Sequence, residues 1–183
     1  HNSMAIGKKG DEFWKMAQKS LYKKLRLNTI IKERLNYYGK IFKVQHHVSH
    51  AAGAYYPSEF KEAAILVLDG VGEWACSSIG VGEGNKIKII KQQHFTHSLG
   101  LLYSAFTYFC GFKVNSGEYK LMGLAPYGKA VYAELIKDKL LKIHSDGSIF
   151  LNMKYFSFME GDKMTNEKFA EIFGGKERAR ESN

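Results

Sequence analysis

The sequence lacks the marks of secreted, membrane-spanning and disulfide-stabilised proteins. Its two cysteines, Cys76 and Cys110, fit no metal-motif spacing and are too few for a disulfide framework. No apolar run approaches the roughly 20 residues that cross a bilayer, and the N-terminus has no apolar signal segment. Internal repeats and low-complexity tracts are absent as well. We therefore predict a cytoplasmic protein with reduced thiols and no membrane partner.

The formal charge of +9 is concentrated near the N-terminus. Residues 1–45 contain eleven Lys/Arg and three Asp/Glu, whereas residues 46–183 contain sixteen and fifteen. No aromatic residues alternate with the basic ones as in a nucleic-acid surface, so we favour a solvated helical face. An anionic substrate or an acidic neighbour would also explain the charge.

The pattern of the chain predicts three parts. Residues 1–3 resemble the remnant of a tag, and residues 4–45 form a basic helical segment. Within that segment, apolar residues recur at helical spacing over residues 11–38, with a break near Asn28, and residues 41–45 suggest a short strand. Residues 46–183 form the remaining α/β part.

A three-strand meander is predicted at the start of that part. A small-residue helix over residues 46–56 ends before Pro57, and Ala63–Leu68 reads as a buried strand. Two more strands, residues 74–81 and 86–93, flank a glycine-rich turn. The later predicted elements are a helix capped by Ser98 and ended by Gly111, a helix over 131–143, a strand over 148–151, and a helix capped by Thr165 and ended by Gly174.

The motif His46-His47-Val48-Ser49-His50 predicts metal binding. Histidines at i and i+4 share one face of a helix, so His46 and His50 could hold one ion, with Asp69 as an oxygen ligand. Two imidazoles and a carboxylate leave coordination positions open for substrate. The alternative for the histidines is helix packing or capping. His47 lies on another helical face and would contact substrate or pack.

A second candidate feature is the segment Asp69-Gly70-Val71-Gly72-Glu73. It suits a phosphate-holding turn, because its backbone N–H groups could meet an anion beside the start of the Ser98 helix. Its alternative is a tight hairpin whose glycines supply positive backbone angles.

Two charged residues beyond the Ser98 helix extend this phosphate hypothesis. Lys120 would bind phosphate, and Glu118 would serve a metal, a ribose or a proton. Either could equally be an ordinary surface charge. The stretch Met122–Gly128, apolar and punctuated by glycines, predicts a close-packed connection.

At these residues the sequence resembles the carbamoyltransferases of the NodU and nebramycin synthase type. The resemblance covers nearly everything from His46 to Gly175. The matching stretches are HHVSHAAGAYYPSEF (46–60), AAILVLDGVGEW (63–74), HSLGLLYSAFTYFCGFKVNSGEYKLMGLAPYGK (97–129), DGSIFLNMKYF (146–156) and MTNEKFAEIFGG (164–175).

The resemblance implies a partial actin-like domain of the ribonuclease-H-like (ASKHA) class, with residues 46–183 as its central part, truncated at both ends. A YrdC-like domain of the same parent chain would make carbamoyl adenylate from ATP and carbamoyl phosphate. The actin-like domain would then pass the carbamoyl group to a small-molecule hydroxyl acceptor. We expect the parent enzyme to be active and this fragment to have little or no activity. Whether the protein forms a homodimer is left open at this level.

The resemblance also assigns residues. It implies that His46, His50 and Asp69 bind iron(II), or another divalent metal, with a further aspartate from outside this chain. The motif and the placement of the Ser98 helix, and not the resemblance, suggest that Gly70, Gly72 and Lys120 hold the nucleotide phosphate, with Glu118 beside them. Asp69 and His47 would be catalytic, His47 by assisting proton removal from the acceptor.

Two rival functions remain at this level. The first is an actin-like phosphotransferase or ATP hydrolase that uses magnesium, which the histidines disfavour because magnesium prefers oxygen ligands. The second is a noncatalytic binding module with a basic arm, which predicts nucleic-acid affinity that falls steeply with salt.

Overall fold

The computed structural model describes residue 22, residues 25–160 and residues 163–179. The chain divides into two compact units, residues 1–43 with 158–162, and residues 44–157 with 163–183. In the described part of the first unit, helix α1 spans Leu27–Leu35 and ends where Asn36 adopts a left-handed conformation, φ 47°. A turn at Arg26 separates the helical residue Leu25 from α1, so the predicted break near Asn28 is confirmed to within two residues. The prediction for residues 11–21 lies outside the described residues.

Residues 41–45 form no strand, contrary to the prediction. Phe42 and Val44 alternate as in a strand, yet their side chains are 76% and 65% exposed, and this segment joins neither sheet. The second unit then begins its regular structure with helix α2, His46–Tyr55.

The three-strand antiparallel meander is confirmed. Its strands are β1 Glu62–Gly72, β2 Ala75–Glu83 and β3 Lys86–His94, in that order across the sheet. Strand β1 is longer than predicted, because it continues past Leu68 through an irregularity in its pairing with β2 and rejoins β2 at Gly72. The fold is therefore mixed α/β.

One face of this sheet packs against α2. Ile65 and Val67 of β1 are buried with Ala51 and Tyr55 of α2, and the Tyr55 hydroxyl donates to the backbone carbonyl of Lys61. Inward and outward residues alternate along β1 as a half-buried strand requires. The opposite face leaves apolar side chains exposed, among them Leu66, Leu68, Ile79, Val81 and Ile90.

Helix α3, Leu99–Phe109, follows the sheet as predicted. The Ser98 side chain accepts a hydrogen bond from the Leu101 N–H, and Gly111 has φ 86° just beyond the helix. Next come α4, Glu118–Leu124, and a 3₁₀ turn, Ala125–Tyr127. The predicted close packing of residues 122–128 is wrong, since Met122 is 62% and Tyr127 89% exposed.

The last elements correct two predictions. Helix α5 spans only Ala133–Lys139, because Leu141–Ile143 forms strand β4, which pairs with β5, Ile149–Leu151. Helix α6, Glu167–Ile172, is capped by Asn166, whose side chain accepts from the Phe169 N–H.

Thr165, the predicted cap of that last helix, is instead buried and pairs with Phe156 in an isolated bridge. The predicted stop of the helix is confirmed, since Gly174 has φ 69°. Both cysteines are free thiols, Cys76 buried and Cys110 partly buried, and burial raises the pKa of each. Across the described part of the chain, every helix is too short or too polar to cross a membrane.

Candidate metal centre

Helix α2 brings two of the predicted ligands together. His46 is its first residue and His50 lies one turn later, so both rings project from the same side. Their Nε2 atoms are 3.0 Å apart. The side chains are 46% and 54% exposed, which leaves the pair open to a ligand from solvent.

Strand β1 supplies the third predicted ligand. Asp69 Oδ2 lies 2.8 Å from His46 Nε2 and 3.7 Å from His50 Nε2. The other carboxylate oxygen, Oδ1, accepts a hydrogen bond from the Gly70 N–H at 2.7 Å. Asp69 lies within the irregular end of β1, which releases its side chain from the regular alternation of the strand.

Helix α3 fixes the backbone that presents Asp69. The Ser98 hydroxyl is 2.9 Å from the carbonyl oxygen of Asp69 and 2.7 Å from that of Gly70, and Ser98 is fully buried. Gly100 approaches the same segment closely, since a Cβ there would lie 2.5 Å from the Asp69 carbonyl oxygen. The predicted helix cap therefore also holds the candidate ligand in place.

His46, His50 and Asp69, called here the ligand cluster, fit a divalent metal. One ligand atom from each lies within 4.8 Å of the others. Bonds of about 2.0–2.2 Å to a shared ion would separate neighbouring donors by roughly 3.0–3.5 Å, close to the spacing observed. His46 Nε2 lies within 3.0 Å of both His50 Nε2 and Asp69 Oδ2, but a ring nitrogen has either one proton or one lone pair, so a cation suits the arrangement better than hydrogen bonds alone. Among the described residues these are the only such group of three.

His47 differs from its neighbours in being buried, with 1% exposure. Its Nδ1 lies 2.6 Å from Ser78 Oγ of β2, and Gln92 Nε2 of β3 donates to the same oxygen at 3.0 Å. Its Nε2 makes no hydrogen bond of good distance and angle among the described residues and lies 4.0 Å from Asp69 Oδ2. Burial lowers the pKa of His47, although Asp69 and the nearby backbone of Ala75 oppose that shift.

The glycines after Asp69 are not the turn of the hairpin. Gly72 pairs with Ala75, so the two-residue turn is Glu73-Trp74, and Glu73 has φ 63°. Gly70 and Gly72 lack positive φ. A Cβ at Gly72 would meet the His46 ring and Asp69 Oδ2, so this glycine provides space for the ligand cluster. The phosphate role of Gly70 and Gly72 stays a prediction, and the Gly70 N–H is engaged by Asp69 in this conformation.

Glu118 and Lys120 lie on α4, and Glu118 does not belong to the ligand cluster. Glu118 Oε1 accepts from Ser104 Oγ at 2.9 Å and from the Asn115 N–H at 3.0 Å. Burial alone would raise the pKa of Glu118, but these hydrogen bonds outweigh it and hold the pKa below its ordinary value. The carboxylate thus stabilises the loop between α3 and α4, and the predicted ligand roles of both residues stay predictions.

Sequence reasoning missed Ser78 and Gln92, which support His47, and the second role of Ser98. A signal for Ser78 exists in hindsight, because it is a polar residue at an inward position of β2. Gln92 is its cross-strand partner in β3, so the register of the meander would have brought the two together. The contact of Ser98 with Asp69 spans 29 residues and has no local signal.

Comparison with known proteins places these residues in a family. The family model described as carbamoyltransferase N-terminus matches residues 5–183. An uncharacterised protein of Synechocystis sp. is 53% identical over 170 residues, which cover 88% of this chain and 28% of that protein.

Two relatives have nodulation names. The nodulation protein NolNO of Sinorhizobium fredii is 42% identical over 89 residues, 49% of this chain and 13% of that protein. The nodulation protein NolO of Bradyrhizobium diazoefficiens is 32% identical over 111 residues, 56% of this chain and 20% of that protein. The matches thus span less than a third of each relative's length. The chain belongs to the carbamoyltransferase family of the NodU type, through the region described as its N-terminus.

Proposed function

We propose that this chain is the metal-binding part of an O-carbamoyltransferase. The complete enzyme would take the carbamoyl group of carbamoyl phosphate, convert it with ATP into carbamoyl adenylate, and transfer it to the hydroxyl of a small molecule. The observation that carries the proposal is the ligand cluster, three metal-type donors within 4.8 Å in a chain of the carbamoyltransferase family. An actin-like arrangement of the complete domain, with a YrdC-like domain in the same protein, belongs to this proposal.

The chemistry of transfer explains why such a cluster is useful. The acceptor oxygen forms a bond to the carbamoyl carbon, the bond from that carbon to the phosphate oxygen breaks, and AMP leaves while the hydroxyl proton passes to a base. Negative charge develops on the carbamoyl oxygen during this step. Lewis acidity toward that oxygen is what iron(II) or another divalent ion would supply when bound. His46, His50 and Asp69 would hold the ion and keep one side accessible.

The remaining predicted residues have supporting roles in this proposal. Gly70, Gly72 and Lys120 would lie along the nucleotide phosphate, near the start of α3, where helix N–H groups favour an anion. Glu118 would keep the loop before α4 in shape, as its hydrogen bonds to Ser104 and Asn115 indicate.

Metal preference tests the first step. Iron(II), zinc or manganese should raise the melting temperature of the chain, and His50→Ala should abolish the rise because it removes one of three donors. His94→Ala, a change at an exposed histidine of β3 outside the cluster, is the matched control and should keep the rise. Stabilisation by magnesium alone would instead favour the phosphotransferase or ATP hydrolase alternative.

Carbamoyl transfer tests the whole proposal. A full-length protein containing this sequence, given ATP, carbamoyl phosphate and a panel of hydroxyl compounds, should form a carbamoylated product. Asp69→Ala should reduce turnover at least about 100-fold, the scale of losing a group that stabilises charge in the transition state. Glu62→Ala, an exposed carboxylate on the same strand, should not. Unimpaired turnover in Asp69→Ala would reject the site.

A further inference from the structure

We propose that Ser78, held by Gln92, is a positioning residue that presents His47 Nε2 as a hydrogen-bond donor to an oxygen atom bound at the ligand cluster. Three secondary structure elements contribute to this arrangement, His47 from α2, Ser78 from β2 and Gln92 from β3. The inference rests on the proposed function for the identity of that oxygen, which would be the carbonyl oxygen of a carbamoyl group.

The first observation is an unsatisfied buried nitrogen. His47 is 1% exposed, and its Nε2 makes no hydrogen bond of good distance and angle in the described part of the chain, although the Ala75 backbone lies near enough to the ring to raise its pKa. Asp69 Oδ2 lies 4.0 Å from this nitrogen, which is too far for a direct hydrogen bond. Buried polar atoms are ordinarily satisfied, and one that is not often marks a position completed by a bound molecule. This nitrogen lies on the side of the ring that faces the ligand cluster.

The second observation is the chain of hydrogen bonds at the other ring nitrogen. Gln92 Nε2 donates to Ser78 Oγ at 3.0 Å, and the same oxygen lies 2.6 Å from His47 Nδ1. A hydroxyl that accepts from Gln92 keeps its own proton, and in this proposal that proton is donated to His47 Nδ1. An imidazole that accepts at Nδ1 while neutral carries its proton on Nε2. Ser78 and Gln92 are paired residues of neighbouring strands, so the sheet holds both partners in register.

These observations define the role of His47. A protonated Nε2 is a donor, which suits an oxygen that gains negative charge, and it has no lone pair for removing a proton. The inference therefore assigns His47 to stabilising the oxygen of the bound group, in place of the proton-removing role predicted from the sequence. Ser78 and Gln92 act only through His47, because neither reaches the ligand cluster.

Nitrogen-15 NMR of the metal-free chain measures the tautomer directly. In the wild type, His47 should show a protonated Nε2 and an unprotonated Nδ1 when the ring is neutral. Ser78→Ala should shift the two ring signals toward one another, because the ring then exchanges between both tautomers. Ser77→Ala, the neighbouring position on the other side of β2, should leave them unchanged. A wild-type ring protonated at Nδ1 would overturn the inference.

Gln92→Glu is a second variant that keeps Ser78 in place. The introduced carboxylate can only accept, so Ser78 would donate to it and accept from His47 Nδ1. The protonated signal should move from Nε2 to Nδ1. An Nε2–H tautomer that persists in both Gln92→Glu and Ser78→Ala would contradict the positioning role.

Turnover separates this inference from the proposed function. In the full-length protein, Ser78→Ala should lower kcat about tenfold with unchanged metal content, as the loss of an orienting hydrogen bond typically does. Wild-type kcat in Ser78→Ala would overturn the positioning role. If the wild type transferred no carbamoyl group to any acceptor, the proposed function would fail, while the tautomer result would still stand on its own.

Discussion

Two glycine-bearing regions of this chain look similar in sequence and differ in structure. The first, called here the site corner, is formed by residues 69–72 and the start of α3 at residues 98–101. The second is the α4 segment, residues 118–128. In the site corner, a Cβ at Gly100 would lie 2.6 Å from the backbone nitrogen of Gly70. In the α4 segment, a Cβ at Gly123 would meet nothing within 4 Å.

The difference lies in what the polar groups contact. In the site corner, Ser98 of α3 bonds to the backbone of β1, and Asp69 reaches His46 of α2. In the α4 segment, Glu118 bonds to Asn115 and Ser104, on its own loop and the preceding helix. A candidate site is therefore distinguished from a merely motif-rich loop by contacts that join distant parts of the chain.

The largest expected effect follows from Gly100→Ala. Its Cβ would overlap the Asp69 carbonyl and the Gly70 nitrogen, which are backbone atoms and cannot rotate away. We expect the free energy of unfolding, measured by urea denaturation, to fall by about 3 kcal/mol. This value is the upper end of the usual destabilisation when a side chain is added to a close-packed interior.

Metal affinity should fall with stability in Gly100→Ala, because the clash displaces the segment that presents Asp69. The matched control is Gly53→Ala in α2, where a Cβ would meet nothing within 4 Å. Wild-type stability and metal binding in Gly100→Ala would show that the site corner is not close-packed.

Ser98→Ala should have the next largest effect. It removes the cap of α3 and the hydroxyl that bonds to the carbonyls of Asp69 and Gly70, all in a fully buried position. We expect about 2 kcal/mol of destabilisation. Asn166→Ala removes the cap of α6 and an exposed hydrogen bond to the Lys154 carbonyl, and it should cost about 1 kcal/mol. Equal losses would mean that the burial of the bonds from Ser98 to β1 adds no stability.

Gly123→Ala should have a smaller effect of opposite sign. Gly123 is in α4, has no positive φ, and has open space around it. Alanine is the better helix former, so the chain should gain about 0.8 kcal/mol in denaturation experiments. Gly84→Ala, at φ 57° in the hairpin turn, should instead destabilise. A loss in Gly123→Ala would mean that the α4 segment packs more closely than its exposure indicates.

The sequence predicted the features that depend on local periodicity. The four-residue spacing of His46 and His50 defines their relative position on a helix, and the apolar strand and turn patterns define the meander. These are short-range rules, and the structure agrees with both. The Ser98 cap follows from the same kind of local rule.

The features that the sequence did not reveal depend on tertiary contacts. Residues 141–143 continue a helical pattern, but their pairing with β5 makes them a strand. Thr165 is a favourable cap by residue type, though a weaker one than Asn166, and its burial beside Phe156 removes it from that role. The burial of His47 and its link to Ser78 likewise depend on how α2 lies on the sheet.

The smallest expected effect tests the local role of Glu118. Hydrogen bonds hold its folded pKa below the unfolded value of 4.5, against the opposing effect of burial. The resulting stabilisation is fully present above the unfolded pKa and is lost as pH falls through the lower folded value. Glu118→Gln should therefore cost about 0.5 kcal/mol at neutral pH, the scale of one net hydrogen bond.

That difference between wild type and Glu118→Gln should diminish across the acid range below 4.5, where the wild-type carboxylate becomes protonated. Denaturation curves across that range measure it. Glu134→Gln, at a side chain 88% exposed, should change little at any pH. A difference for Glu118→Gln that stayed constant down to the acid end would show that its charge does not stabilise the loop. The α4 segment would then have no stabilising carboxylate at its start and would resemble an ordinary surface helix.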